Sequence, residues 1–336
     1  MVIPVRDRSV ELDRCLHALQ GPAIVVDDGS HDPAAVRGIC EQHGATYVHR
    51  PNGGPAAARN TGLQHVTTPL VAFLDSDCVV PAGWLARLRG HLDDPTVVAV
   101  APRVVGGPRS PLDLGPRPAQ VRPGGEVSYV PTAALLVRAE GLHFDESLRY
   151  GEDVDLLWRL TGTVRYDPSV IVQHTEPARL MHRLLRRFRY GTSAAPLAQR
   201  HPQNLAPLIL PPWPSAVLAL VLLRRPRTAL ATAAVMTVRL DRQVQDPITS
   251  ARLVASSVSS TALGLGRAAA LLGPLGWRRP LLVVAPYLLE WWQRRPDEDP
   301  VRYVGRALLD QAAYGAGVVT GCVTHRTTIP LRPRRK

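Results

Sequence analysis

A chain of 336 residues with 45% hydrophobic content can bury a full core and fits one large or two modest domains. Its four cysteines (Cys15, Cys40, Cys78, Cys322) are scattered with no CxxC pair, which argues against a cysteine metal cluster and a disulfide framework and fits a reducing cytosolic setting. The net charge of +12 is almost all arginine, Lys336 being the only lysine, and is unevenly placed: residues 1–177 hold 16 arginines against 21 acids, residues 178–336 hold 24 basic residues against 7 acids.

Such asymmetry points to two functional halves, the second facing something anionic. The chain starts directly in a strand-like Val2–Val5, with no signal peptide, and so abrupt a start suggests that residues precede Met1. Val10–Gln20 has helical spacing, and Ala23–Val26 is a second apolar run ending in Asp27-Asp28-Gly29-Ser30. A short helix over Val36–His43 and a strand over Thr46–His49 follow. The turn Asn52-Gly53-Gly54-Pro55 opens a helix through Ala56–Val66. Leu70–Leu74 reads as the fourth strand, Trp84–Leu92 as a helix and Val97–Val105 as the fifth strand. Alternation of this kind predicts an α/β domain with a mostly parallel, Rossmann-like sheet covered on both faces. Gly106–Gly125, rich in Pro, Gly and Arg, reads as a long binding or lid loop. Tyr129–Val137 and Val170–His174 complete the strands, and the spacing from Val154 to Leu160 predicts a helix opening on Glu152-Asp153.

Three strand or helix ends therefore carry acids: Asp27-Asp28, Asp75/Asp77 and Glu152-Asp153. Any one pair is readily a cap or turn. Three on equivalent edges of one sheet, where open α/β sheets bind ligands, describe a carboxylate-lined cleft. Such a cleft repels itself unless a divalent cation and a cationic side chain offset it. Arg59 can supply the second, and hard oxygen ligands favour Mg²⁺ or Mn²⁺.

Val26-Asp27-Asp28-Gly29-Ser30, Asn52-Gly53-Gly54 with Ala58-Arg59-Asn60-x-Gly62, the DxD motif Asp75-Ser76-Asp77 and Gly151-Glu152-Asp153 together resemble the family 2 glycosyltransferases, over about residues 1–177. The resemblance implies a nucleotide-sugar-binding GT-A fold and an inverting mechanism. It places Pro4, Asp28 and Arg59 at the nucleoside with Asp27 supporting the turn, Asp75 by the ribose or diphosphate and also within reach of the metal, Asp77 on the metal, and His174 as a further metal ligand. Inversion needs a carboxylate to take the acceptor's proton. Asp153 is the candidate base, with Glu152 or Asp155 orienting it or the acceptor.

A narrower resemblance rests on Pro4-Val5-Arg6-Asp7-Arg8, on the stretch from Leu148 to Leu160, and on Leu309-Asp310-Gln311-Ala312-Ala313-Tyr314-Gly315-Ala316-Gly317-Val318. These are similar to the glycosyltransferases of the mycofactocin system. That likeness implies UDP-glucose as donor, a peptide-derived redox cofactor precursor as acceptor, and a β-linked glucose chain as product. A cell-envelope polysaccharide or lipid acceptor is the alternative.

The second half, residues 178–336, reads as a mainly helical, arginine-rich and apolar region. Arg183–Gly191 reads as a basic amphipathic helix, from which Arg186, Arg187 or Arg189 can reach the diphosphate, as an arginine-bearing motif does in some relatives, or else face solvent or a membrane. Leu205–Leu223 lacks charge but contains four prolines, so only Trp213–Leu223 is convincingly helical and is short against the ~20 residues of a span. Thr228–Val238, Leu253–Gly276 and Leu281–Trp292 are apolar but interrupted by Arg, small residues, Pro286 and Glu290. Interleaved arginines favour a peripheral or shallowly inserted region on the inner face of the cell membrane. Nucleic acid is not expected as a partner, because no recognition motif accompanies the charge. A haloacid-dehalogenase-type phosphatase fits Asp75-x-Asp77, but it needs a downstream lysine and a first-strand loop. A nucleotidyltransferase would need a Gly-rich loop and lysine after the first strand.

Overall fold

The computed structural model describes residues 1–107, 110–123, 125, 127–176, 179–204, 209–271, 280–294, 298–332 and 334–335. The chain forms two compact units: Met1–Arg183 with Arg200–Leu205, and Leu184–Gln199 with Ala206–Lys336.

In the first unit, strands β1 (Val2–Val5), β2 (Ile24–Asp28), β3 (Thr46–Arg50) and β4 (Leu70–Leu74) alternate with helices α1 (Ser9–His17), α2 (Pro33–Gln42) and α3 (Pro55–Leu63). They pair in parallel in the order β3-β2-β1-β4, as the alternation of short apolar runs with helical spacing demands. Next come β5 (Cys78–Val79), α4 (Trp84–Arg89), β6 (Val97–Val105), β7 (Ala119–Val121), β8 (Ala134–Arg138), α5 (Glu152–Arg159) and β9 (Thr163–His174). The mostly parallel arrangement expected from the sequence becomes locally mixed on this side of β4. β8 inserts between β4 and β6, antiparallel to both, and β9 then lies parallel to β6. The sheet is thus parallel on one side of β4 and mixed on the other.

Three further differences have local causes. The expected strand over Tyr129–Val137 starts only at Ala134, because Pro131 cannot donate to a ladder. The last strand is longer than its apolar end: Thr163–Asp167 also pair with β6, across an irregularity at Pro102/Arg103. Part of the loop expected over Gly106–Gly125 is β7, an antiparallel partner of β9; residues 108, 109 and 124 lie outside the described ones.

Alternate side chains of the strands feed two apolar layers. Ile3, Val5, Val25 and Leu74 pack with Leu12, Cys40 and Leu88 from α1, α2 and α4. Val2, Val71, Phe73 and Leu135 pack with Ala56, Phe144, Leu156 and Leu157 on the other face, under α3 and α5. The four cysteines are buried free thiols.

The second unit takes in most of α6 (Leu180–Thr192) and α7 (Ala194–Arg200), with α8 (Pro212–Leu222), α9 (Pro226–Val244), α10 (Pro247–Leu271), α11 (Pro280–Arg294) and α12 (Pro300–Thr324). The Gly-rich stretch near Gly317 serves a helix crossing. A Cβ on Gly317 would lie 2.0 Å from Phe188 O, and one on Gly191 2.1 Å from Tyr314 O, so two backbones meet where no side chain fits. Arg187 packs over the Tyr314 ring at 5.0 Å and pairs with Asp310 at 3.2 Å. Among the described residues, no helix is long and apolar enough to cross a membrane. Residues 205–208 and 272–276, part of the apolar stretches singled out above, lie outside the described ones.

Candidate active site

Parallel strands β1, β2 and β4 deliver their carboxyl ends to one edge of the sheet, and the acids follow there. Asp27 and Asp28, at the end of β2, organise their own loops. Asp27 accepts hydrogen bonds from the Ser30 amide (2.9 Å) and the Tyr47 hydroxyl (2.9 Å). The Asp28 carboxylate accepts from Asn52 Nδ2, Gly53 N and Gly54 N at 2.7–2.9 Å, and pairs with Arg50. Gly29 has φ +73°, and a Cβ there would sit 2.9 Å from Asn52 N, so the turn closes only on glycine. Asp28 therefore anchors the Asn52–Gly54 turn at the start of α3. Pro4 sits in β1 opposite Val26, next to this turn's strand.

α3 presents Arg59 inward, 4% exposed. Its two terminal nitrogens divide between acids that are far apart in sequence: Nη2 donates to Asp75 Oδ1 at 2.7 Å and Nη1 to Glu152 Oε1 at 2.8 Å. Its guanidinium also stacks on Phe144 at 5.5 Å. The adjacent Asn60 fixes the approach to α5, exchanging hydrogen bonds with the Phe144 backbone (2.8 and 2.9 Å) and donating to Glu146 at 2.8 Å. Gly151, in the left-handed region at φ +81°, turns the chain into α5 so that Glu152 and Asp153 begin the helix.

Electrostatics separate this cluster from an ordinary cap. Burial and then the neighbouring Asp153 charge push the Glu152 pKa up to about 7, with Arg59 pulling against them. Burial likewise raises Asp153, again opposed by Arg59. Burial works against the Arg59 charge, but Asp75, Glu152 and Asp153 hold its pKa above the usual value. Asp153 thus sits as a basic carboxylate beside a cation already shared by two other acids. Strongly perturbed, paired acids cluster at functional sites.

Asp77 lies beyond this cluster. It is joined to the last strand because Cys78 pairs with His174 across β5 and β9. His174 Nε2 lies 3.5 Å from Asp77 Oδ1, with side chains 5% and 7% exposed. Arg8 pairs with the other Asp77 oxygen. Behind His174, Glu176 Oε1 is 3.6 Å from Nδ1 and accepts from Ser110 Oγ at 2.7 Å. Among the described residues, no group of three His, Cys, Asp or Glu side chains converges on one point. One carboxylate and one imidazole, nearly enclosed, still suit Mn²⁺ or Mg²⁺, which often complete their shells with water and substrate phosphates.

Arg59, Asp75, Glu152 and Asp153 thus come together, and Asp77 meets His174. Asp155 does not join them. Helix geometry turns it about 200° from Asp153, where it accepts from Arg159 Nε (2.8 Å) and pairs with His201 (2.8 Å). Arg187 is engaged by Asp310 and Tyr314 within the second unit, to which Arg186 also belongs. Sequence reasoning assigned no role to Asn60, Arg8 or Glu176. Asn60 lies in the Ala58–Gly62 motif and Arg8 in the Pro4–Arg8 stretch, whereas Glu176 carries no pattern of its own.

Residues 1–129 match the model of glycosyl transferase family 2. The chain is 37% identical to the "Pre-mycofactocin glycosyltransferase" of Mycobacterium tuberculosis over 383 aligned positions, covering 99% of this chain and 81% of that protein. It is 31% identical over 101 residues to "Glycosyltransferase AglE" of Haloferax volcanii, covering 26% of this chain and 33% of that one. Among solved structures, a mannosyltransferase from Pyrobaculum calidifontis in complex with GDP-Man and Mn²⁺ is similar at a TM-score of 0.47 and 22% identity, over 87% of this chain and 86% of that one. With its near full-length likeness to a curated glycosyltransferase and the match of residues 1–129 to the family model, the chain belongs to glycosyl transferase family 2.

Proposed function

We propose that this glycosyltransferase moves glucose from UDP-glucose onto a hydroxyl of a peptide-derived redox cofactor precursor, in mycofactocin biosynthesis, with inversion at the anomeric carbon, and that it extends the product into a β-linked chain. The near full-length likeness to the pre-mycofactocin enzyme supports the acceptor class. The carrying observation for the chemistry is the Arg59 clamp between Asp75 and Glu152, with Asp153 beside it.

Each residue has a task in that reaction. Asp28 shapes the Asn52–Gly54 turn against which the nucleoside rests, with Pro4 beneath it. Arg59 fixes Asp75 and Glu152 and keeps a positive charge near the donor. Asp77 and His174 are the residues that would hold a divalent cation. Such a cation supplies Lewis-acid stabilisation to the departing diphosphate. Asp153 accepts the proton of the acceptor hydroxyl as its oxygen bonds to the anomeric carbon. The carbon–oxygen bond to the diphosphate breaks on the opposite face, and UDP leaves with the bonding pair.

The decisive assay incubates the purified protein with the peptide-derived acceptor and UDP-glucose, UDP-galactose, UDP-N-acetylglucosamine or GDP-mannose. The expected product gains hexose units from UDP-glucose alone, and their anomeric signals are β. Transfer from another donor overturns the sugar assignment, and an α linkage overturns inversion.

We further propose contact with the inner face of the membrane through the turn between α8 and α9. Val221, Leu222 and Leu223 are exposed there beside exposed Arg224, Arg225 and Arg227. Apolar groups flanked by arginines suit an anionic lipid interface. The protein should sediment with phosphatidylglycerol vesicles and be released by salt. Failure to bind them at low salt would remove the membrane assignment.

A further inference from the structure

The connection between β1 and α1 contains a bend that few residue types favour. Asp7 adopts φ 56°, in the left-handed region, which is uncommon for a non-glycine residue and costs energy unless its surroundings hold it. The loop after β2 does hold it. The Asp7 amide donates to Ser30 Oγ at 3.0 Å, the His31 amide donates to Asp7 Oδ1 at 2.7 Å, and His31 Nδ1 lies 2.9 Å from that same oxygen. Arg8 follows directly, and its guanidinium is set onto Asp77 Oδ2. The two partners differ in freedom: the Arg8 side chain is 47% exposed, the Asp77 side chain 7%. The carboxylate that would receive a divalent cation therefore already carries a cation of the protein's own.

We infer that Arg8 is a resident counter-ion that competes with the divalent cation for Asp77 and, once displaced, turns to the donor's diphosphate. This rests on the reading of Asp77 as a cation ligand. Two positive groups on one carboxylate repel, so each weakens the other's hold. Arg8 is the exposed partner on a loop, and Asp77 is fixed between strands, so Arg8 is the group that moves. Its planar fork matches phosphate oxygens in a way a point charge does not. A diphosphate that draws Arg8 away strengthens cation binding, and by linkage the cation strengthens diphosphate binding by the same factor. Cation alone then binds weakly, and cation with nucleotide binds well. This couples assembly of the two halves of the donor site without any further moving part.

Mn²⁺ binding to the purified full chain, followed by electron paramagnetic resonance of free Mn²⁺ with and without UDP, tests this. Without UDP, Arg8→Gln should bind Mn²⁺ about tenfold more tightly than wild type, within the usual range of site-to-site coupling. UDP should then enhance its Mn²⁺ affinity less than it does in wild type, and Arg8→Lys, which keeps the charge, should stay closer to wild type. Arg8→Gln that melts like wild type yet binds Mn²⁺ no more tightly overturns the inference. Asp77→Asn separates the two readings. If it keeps wild-type Mn²⁺ affinity, the cation lies elsewhere and both readings fall. If it loses Mn²⁺ while Arg8→Gln is unchanged, the role of Arg8 alone falls.

Discussion

Asp153→Asn should lower the turnover of transfer by about 10²- to 10⁴-fold, the usual contribution of a positioned general base. UDP binding, followed by calorimetry, should stay within a few-fold of wild type. The substitution is nearly isosteric, and the Asn carbonyl oxygen can still accept from the Val154 amide as Asp153 Oδ1 does at 2.8 Å. What it removes is a negative charge whose protonation burial already favours. The same change relieves Glu152, whose raised pKa owes part of its rise to the Asp153 charge. The variant should therefore be no less stable than wild type at neutral pH, which separates loss of a base from loss of fold. In wild type, a base with a raised pKa loses function on acidification earlier than an ordinary aspartate. The acidic limb of the pH–rate profile belongs to the coupled Glu152–Asp153 pair. It should lie above the ordinary carboxylate range and collapse into the residual rate of Asp153→Asn. Wild-type turnover in that variant would remove Asp153 as the base.

Much of this site is legible in the amino-acid sequence, because it depends on where strands end. Asp75 and Asp77 close a run of apolar residues, and any fold that buries Val71–Leu74 must place them at the sheet edge. Asp27 and Asp28 follow by the same logic from Ile24–Val26. The local glycines announced the turns around Asp28 and before Glu152. What periodicity does not encode is which charge meets which across the sheet. The sharing of Arg59 between Asp75 and Glu152 joins residues 93 positions apart, and depends on α3 and α5 lying on the same face of the sheet. The meeting of Asp77 with His174 requires β9 to run back beside β5, and the antiparallel entry of β8 has no local signature at all. The acid-rich start of α5 also read as one cluster, Glu152, Asp153 and Asp155. The helix splits it, sending Asp155 to Arg159 and His201. The family resemblance gives the arginines of α6 a diphosphate-binding role; the contacts of Arg187 with Asp310 and Tyr314 are a pairing only long-range packing reveals.

Arg59→Ala should be the most destabilising single change in the first unit. Breaking a buried ion pair by removing one partner costs about 3–5 kcal/mol, because the other charge stays buried without compensation. Here two acids lose their partner at once. The Glu152 side chain is 10% exposed, so its orphaned carboxylate cannot recover full hydration; Asp75, at 31%, can partly turn to solvent and adds less. The cavity left over the Phe144 ring adds lost packing. The pH dependence distinguishes electrostatics from packing. In wild type the Glu152 pKa is raised from 4.5 to about 7, so the native state binds more protons than the unfolded state within that window. Stability therefore falls as pH rises through it. Without Arg59, the interaction that holds Glu152 and Asp153 down is gone, their native pKa values rise further, and stability goes on falling above pH 7. The deficit against wild type should accordingly be largest above neutrality and shrink as pH approaches 5, where Glu152 is protonated in both proteins. Urea unfolding at pH 5, 6, 7 and 8 measures it. A deficit independent of pH would assign the loss to packing over Phe144, and a variant as stable as wild type at pH 8 would mean that Arg59 does not bridge these acids in the folded protein.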